Sequence, residues 1–409
     1  MPNFSIPLSG LDASNTALNT ISNNLANLNT TGYKDSTVNF QDMFYQMLGT
    51  NGAGDPLQVG SGSSVSSINT NFSGGTVQGT GVDTDVAITG NGFFVVQNGS
   101  NTYYTRAGDF SQDSTSGYLV TADGYQVMGY PAVNGVVNTN GGLVPIQLPM
   151  DMTSAPTATT TMSMQANLSS GTAVGDSYDT SVTVYDSLGN SHVLSVDFTN
   201  TGTGWSYNAT VPSSDISGGT GTNTTVASGT LNFDSNGNLT STTPISISIP
   251  NLADGASTLG ITWNLASSSG QGLITQVSSA SSNAPTQNGN TGGSLTDFTI
   301  GSDGTITGSF TNGTQILGKV ALANFSNLQG LSNQGDNNYA ATISSGSAVV
   351  GAPGTSSLGT LTGSALELSN VDMSTEFSNL IIAERGFQAN AKSVTTFDQI
   401  AQDTINLIR

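Results

Sequence analysis

The only histidine of the chain, His192, stands beside Val193 and Leu194 in a stretch of strand character. An imidazole serves as a base or a metal ligand only with a partner, and no second histidine exists to complete a dyad. Its context in the sequence is that of a structural histidine. Asp234-Ser235-Asn236-Gly237 opens like a calcium loop, but the twelfth position from Asp234 is Ile245, where such a loop needs a bidentate glutamate. A hairpin turn accounts for it, as for Asp123-Gly124 and Asp303-Gly304. Glycines abound, yet no G-x-x-x-x-G-K-[ST] loop occurs to cradle a phosphate. There is no cysteine, so disulfides, thiol chemistry and cysteine–metal sites are excluded. A glycan-cleaving enzyme, which the composition would otherwise suit, needs a cleft with paired carboxylates. None of these residues points to catalysis; the expectation is a protein that is not an enzyme and takes no cofactor or metal.

Composition narrows the partners. Of 409 residues only 8% are charged, and 26 acidic against 6 basic side chains give a net charge of −20. No Lys or Arg lies between Arg106 and Lys319. A nucleic-acid binder needs a basic stripe, and an anionic membrane surface would repel this chain, so neither is an expected partner. No apolar run is long enough to span a bilayer, and MPNFSIPLSG lacks the basic and apolar regions of a secretory signal. The Gly/Ser/Thr/Asn-rich texture suits many short strands joined by tight turns and resembles bacterial surface polymers, which would need export without a cleaved signal.

The elements that carry these residues fall into two kinds. Helical periodicity is confined to the ends. Leu11, Leu18 and Leu25 repeat every seven residues with Ser14, Ile21 and Leu28 between them, and Asn29 and Gly32 supply a stop. Near the other end Leu380, Phe387, Val394, Ala401 and Ile408 form one heptad column, and Phe377, Ala391 and Ile405 lie in a second. Asp372 is the expected N-cap, with Glu376 in the first turn; a helix from there to Arg409 would run about 55 Å. Two amphipathic ends with β-type sequence between them predict a short coiled coil, or helices completed by other subunits. The middle reads as strands: Val86 to Thr89, Phe93 to Val96 turning at Asn98-Gly99, Gly117 to Tyr130 turning at Asp123-Gly124, Ser181 to Tyr185, His192 to Phe198 and Trp205 to Val211.

The expected fold is therefore mainly β with helical termini and nested β domains. Residues 1–30 with 371–409 form the helical part, 31–72 with 355–370 a linker region, 73–146 with 285–354 an inner β domain, and 147–284 an inserted outer β domain. The Ser/Gly/Asn-rich stretch 267–294 reads as the return linker.

Motifs at both ends resemble the flagellar rod and hook axial family. At the start these are Ser9-Gly10-Leu11, Ile21-Ser22-Asn23-Asn24-Leu25-Ala26-Asn27 and Thr31-Gly32-Tyr33-Lys34. At the end they are Leu366-Glu367-Leu368-Ser369-Asn370-Val371-Asp372, Glu376-Phe377 and Phe387-Gln388-Ala389-Asn390-Ala391-Lys392. Tyr104-Thr105-Arg106-Ala107-Gly108-Asp109-Phe110 is similar to a segment common to hook and rod members, and Val184-Tyr185-Asp186-Ser187-Leu188-Gly189-Asn190 to the start of a hook-type insertion. Ala383-Glu384-Arg385-Gly386 departs from the family, which more often has a Gln-Arg pair and no glycine there. In length and insertion the chain is similar to hook-type members; the alternative is a distal rod member. The resemblance implies an extracellular subunit of the flagellum that polymerises into a curved, flexible tube enclosing an export channel and transmitting torque. It implies as partners other copies of the chain, the distal rod protein, the hook cap protein, the hook–filament junction protein and the flagellar type III export gate. Phe40 and Phe44, in Phe40-Gln41-Asp42-Met43-Phe44, resemble the aromatic motif that such a gate reads.

Overall fold

A computed structural model describes residues 4–133, 135–148 and 152–407. The chain forms two compact units: Met1–Pro149 with Asp297–Gly308 and Gln315–Arg409, and Met150–Thr296 with Ser309–Thr314. The first, here the terminal unit, holds both helices and a β body; the second is the inserted unit.

In the terminal unit the apolar run Phe93-Phe94-Val95-Val96 explains the β body. Side chains alternate across a strand, so four consecutive apolar residues demand cover on both faces. Phe94 and Val96 pack with Val86, Ile88, Leu119 and Ile306 on one side, while Phe93 and Val95 pack with Tyr104, Phe325 and Tyr339 on the other. The strand Phe93–Asn98 pairs antiparallel with Asn101–Thr105 through the expected turn, where Gly99 takes φ +60°, and on its other edge with Gln126–Val133 and Leu322–Asn324.

The inserted unit has a four-stranded antiparallel sheet, Ser177–Tyr185, Ser191–Asn200, Trp205–Pro212 and Asn223–Leu231, and a five-stranded one built on Thr161–Asn167. Their facing residues share one core, in which Phe198, Trp205 and Trp263 are fully buried. The stretch 267–294 differs from the expected linker. Within it Ser282–Gln287 runs antiparallel along Thr161–Asn167, from Met162↔Gln287 to Asn167↔Ser282. A ladder needs only backbone donors and acceptors, and this edge strand keeps most of its small polar side chains in water, so no apolar pattern announces it. Residues 31–72 likewise contain two antiparallel hairpins, Ser36–Asp42 with Ser63–Thr70 and Gln46–Thr50 with Pro56–Val59.

Helix α1 spans Ser5–Ala26 and α2 spans Met373–Leu407. Asp372 caps α2: its carboxylate accepts the Thr375 N–H at 2.8 Å and its carbonyl the Glu376 N–H at 2.9 Å. The 35 residues of α2 make a rod of about 52 Å. Helix α1 ends earlier than the leucine pattern suggests, because the Asn27 amide turns back onto the Asn23 carbonyl at 2.9 Å; Leu28 lies in the turn beyond it.

The two helices pair antiparallel. Phe4 meets Phe397 edge to face at 6.0 Å, Gly10 faces Asn390, Ser14 faces Gly386, and Asn24 faces Glu376. Small residues set the spacing. A Cβ on Gly10 would fall 2.6 Å from the Asn390 amide nitrogen, and one on Gly386 would touch Ser14 Oγ at 3.5 Å. Gly386, the departure noted in the sequence, thus lies on the seam itself.

Candidate polymerisation surface and its anchor

Close packing along a seam of Gly, Ala and Ser pushes the large apolar side chains to its flanks. The buried residues of α1 are Pro7, Ala13, Ala17, Ile21 and Asn24, while Leu11, Leu18 and Leu25 are half-buried, as is Leu28 after the helix. On α2, Leu380, Val394 and Ala401 are half-buried. Phe377, Phe387 and Ile405 are exposed, and so are Ile381, Ile382 and Ile400, with Ile382 70% open. Ile408 lies outside the described residues. Between α1, the strand Ser36–Asp42 and α2 a groove of about 390 Å³ is lined by Ala17, Ile21, Val38, Phe40, Ile382 and Gly386. Phe40 therefore sits on a strand with its ring half in this groove. Phe44 is 93% exposed and leads into the hairpin Gln46–Thr50/Pro56–Val59, where Met47, Leu48 and Leu57 also face water.

Beneath this surface lies a buried ionic knot. Glu367 accepts from Lys34 Nζ at 2.7 Å and from Arg106 Nε and NH2 at 3.0 and 3.1 Å, and all three side chains are almost wholly buried. Lys34 Nζ also reaches the Ser73 carbonyl at 2.7 Å, and Arg106 NH1 the Gly90 and Gly92 carbonyls at 2.9 and 2.7 Å. The Gly75 N–H adds a further bond to Glu367 at 2.8 Å. Burial pulls the Lys34 ammonium down from its usual range, and the Glu367 carboxylate opposes that. Around the knot the Gly32 N–H donates to the Glu367 carbonyl, and Gly32 at φ +68° has no room for a side chain, since a Cβ would lie 2.6 Å from the Ala107 nitrogen. Asn370 accepts the Asp35 N–H at 2.8 Å and donates to the Asn71 carbonyl at 2.9 Å. The knot thus fastens both ends of the chain to the β body.

In the inserted unit His192 is buried with three carboxylates close to its ring, Asp186, Asp215 and Asp254. Asp234 does head a turn, its carboxylate accepting the N–H groups of Asn236 and Asn238.

Comparison with known proteins gives the arrangement its context. Along 422 residues the sequence is 39% identical to the flagellar hook protein FlgE of Escherichia coli, covering 99% of both chains, and along 459 residues 32% identical to that of Treponema pallidum, covering 98% of both. The chain belongs to the flagellar hook protein family. Four family descriptions match parts of it: flagella basal body rod protein over 6–34, flagellar hook protein FlgE/F/G D1 domain over 87–161, flagellar basal body protein FlaE D2 domain over 160–290, and flagellar basal body rod FlgEFG protein C-terminal over 362–407. The crystal structure of Helicobacter pylori FlgE2 shares the fold, with a TM-score of 0.53 at 16% identity, covering 71% of this chain and all of that one. In this hook-family chain each member of the ionic knot falls in a different matched segment: Lys34 in the first, Arg106 in the second, Glu367 in the last.

Proposed function

We propose that the chain is the structural subunit of the flagellar hook, a helical homopolymer outside the cell that carries torque through a curved, flexible tube around an export channel. The observation that carries this reading is the unpartnered apolar surface of α2, where Phe377, Ile381, Ile382, Phe387 and Ile405 face water in the isolated chain. Large apolar side chains left in water along one helix mark it as an element that packs against partners. The groove beside Phe40 is where a neighbouring subunit's terminal helix would seat. No step of catalysis belongs to this role. The distal rod protein below, the cap and junction proteins above, and the type III export gate are the further partners that family membership suggests.

Phe387→Asp tests the reading. Its ring is partly exposed, so the monomer should fold as before, while a carboxylate forced into every subunit contact abolishes tubes in electron micrographs. Normal tubes from this variant would falsify the proposal. For the export gate, replacing Phe40 and Phe44 together by alanine should block secretion while purified protein still assembles; unchanged secretion with failed assembly would make the pair a packing element only.

A further inference from the structure

The inserted unit contains a single imidazole and, lying between Arg106 and Lys319, no Lys or Arg. Around that imidazole the fold gathers three carboxylates from separate turns. Asp186 heads the turn between Ser177–Tyr185 and Ser191–Asn200, Asp215 closes the short turn Ser213–Asp215, and Asp254 lies between Ile245–Ile249 and Leu259–Asn264. Asp215 Oδ2 stands 3.0 Å from His192 Nδ1, while Asp186 Oδ2 and Asp254 Oδ2 stand 3.2 and 3.6 Å from Nε2.

We propose that His192 Nε2, Asp186 Oδ2 and Asp254 Oδ2 form a binding site for one divalent transition-metal ion, with zinc the best fit. Ligands about 2.0–2.1 Å from a tetrahedral zinc lie roughly 3.3 Å apart, and the two separations from Nε2 bracket that value. All three ligand atoms lie within 4.8 Å of one another. A proton on Nε2 cannot do the same work. It points at one acceptor at a time, 3.6 Å is beyond a hydrogen bond, and an imidazolium among three carboxylates still leaves two negative charges. No other side-chain cation is available in this part of the sequence to balance them.

Each ligand is also held from behind, as metal ligands are. Asp215 receives Nδ1 of His192 and so leaves the Nε2 lone pair free for an ion. The N–H groups of Leu188 and Asn190 fix Asp186 through its other oxygen at 2.8 and 2.9 Å. The Ala256 N–H holds Asp254 Oδ1 at 3.0 Å, and the Asn190 amide donates to Asp254 Oδ2 at 2.9 Å. His192 and Asp186 are buried, whereas Asp254 is partly open, which gives an ion a way in and leaves water to complete its coordination. The ion would add a clasp to turns already joined by the Ala253 N–H on the Asp215 carbonyl and by Ser257 on Ser187 Oγ.

The full chain, made without a polyhistidine tag and stripped with a chelator, is titrated with zinc chloride. Calorimetry should count one tight equivalent. Because His192 is the only histidine, its ring nitrogens can be followed by NMR without overlap, and Nε2 should shift to a metal-bound position. Asp254→Asn should weaken zinc at least tenfold, and Asp215→Asn, which touches only Nδ1, about ten- to a hundredfold. An Asp254→Asn protein whose metal-free NMR spectrum matches the parent removes misfolding as a cause. A ring that stays doubly protonated and unmoved by zinc, or zinc binding by Asp254→Asn as tight as the parent's, would overturn the site and leave a charge clamp in its place.

Discussion

The inserted unit encloses its largest side chains, with Phe198, Trp205 and Trp263 sealed between two sheets. The helix pair does the reverse: it buries alanines and leaves phenylalanines and isoleucines in water. Both arrangements follow from packing distance. Sheets stacked about 10 Å apart have room for indoles, whereas helices brought together at Gly10 and Gly386 do not, so bulk moves to the flanks. One region is complete as a monomer. The other presents a surface to be completed, and it is the ionic knot that ties this unfinished region to something rigid.

The sharpest way to break the comparison is to damage each region where it is strongest. Trp263→Ala empties the centre of the inserted core and should cost about 3–5 kcal/mol there. Arg106→Met leaves Glu367 and Lys34 buried with part of their pairing gone, and should cost about 3–5 kcal/mol in the terminal unit. Urea unfolding followed by indole fluorescence reports the inserted unit, since both tryptophans lie there. Helical circular dichroism reports the terminal unit. The first variant should move only the fluorescence transition and the second only the helical one; a shift of both by either variant would show that the two regions are not independently stabilised.

A smaller effect probes the seam. Gly386→Ala places a methyl at ordinary contact distance from Ser14 and should stabilise α2 by about 1 kcal/mol through helix propensity. Gly10→Ala gains the same propensity but drives its methyl into the Asn390 amide, so the helices must separate or Asn390 must turn away. Its helical transition should fall below that of Gly386→Ala. Equal stabilisation by both would mean that the seam is not held by close approach.

Legibility in the sequence divides along the same line. Patterns that act locally were readable: the strand from Phe93 to Val96, the turn at Gly99, the cap at Asp372 and the two helices. The ionic knot was not, because Lys34 and Glu367 are 333 residues apart and Arg106 and Glu367 are 261 apart. A signal did exist, since three of only six basic residues, Lys34, Arg106 and Lys392, fall inside the motifs that resemble the family's, and two of these three are the cations of the knot. The carboxylates about His192 come from three turns with no fixed spacing, so looking for a second histidine could not find them. A heptad reading puts leucines on the seam; glycine at Gly10 and Gly386 reverses inside and flank.

The smallest expected effect lies where the two halves of the seam meet the knot. Glu376 is buried in the first turn of α2, and its Oε2 has no hydrogen-bond partner among the described residues. Burial pushes its carboxyl above the usual glutamate range; Asn24 opposes this by hydrogen bonding, while Asp35 and Asp372 add to it. Burial likewise raises the neighbouring Asp35. A carboxyl raised on folding binds its proton more tightly in the folded chain than in the unfolded one. In the window between the ordinary value of 4.5 and the raised one, the folded state therefore carries more protons, so stability rises as pH falls through that window and is lost as pH climbs above it. Glu376→Gln keeps the shape of the neutral acid and should raise helix stability at pH 7 while leaving it nearly unchanged at pH 4. Helical unfolding of the monomer at the two pH values checks this. A variant less stable than the parent at pH 7 would mean that the charged form is the one the fold is built around.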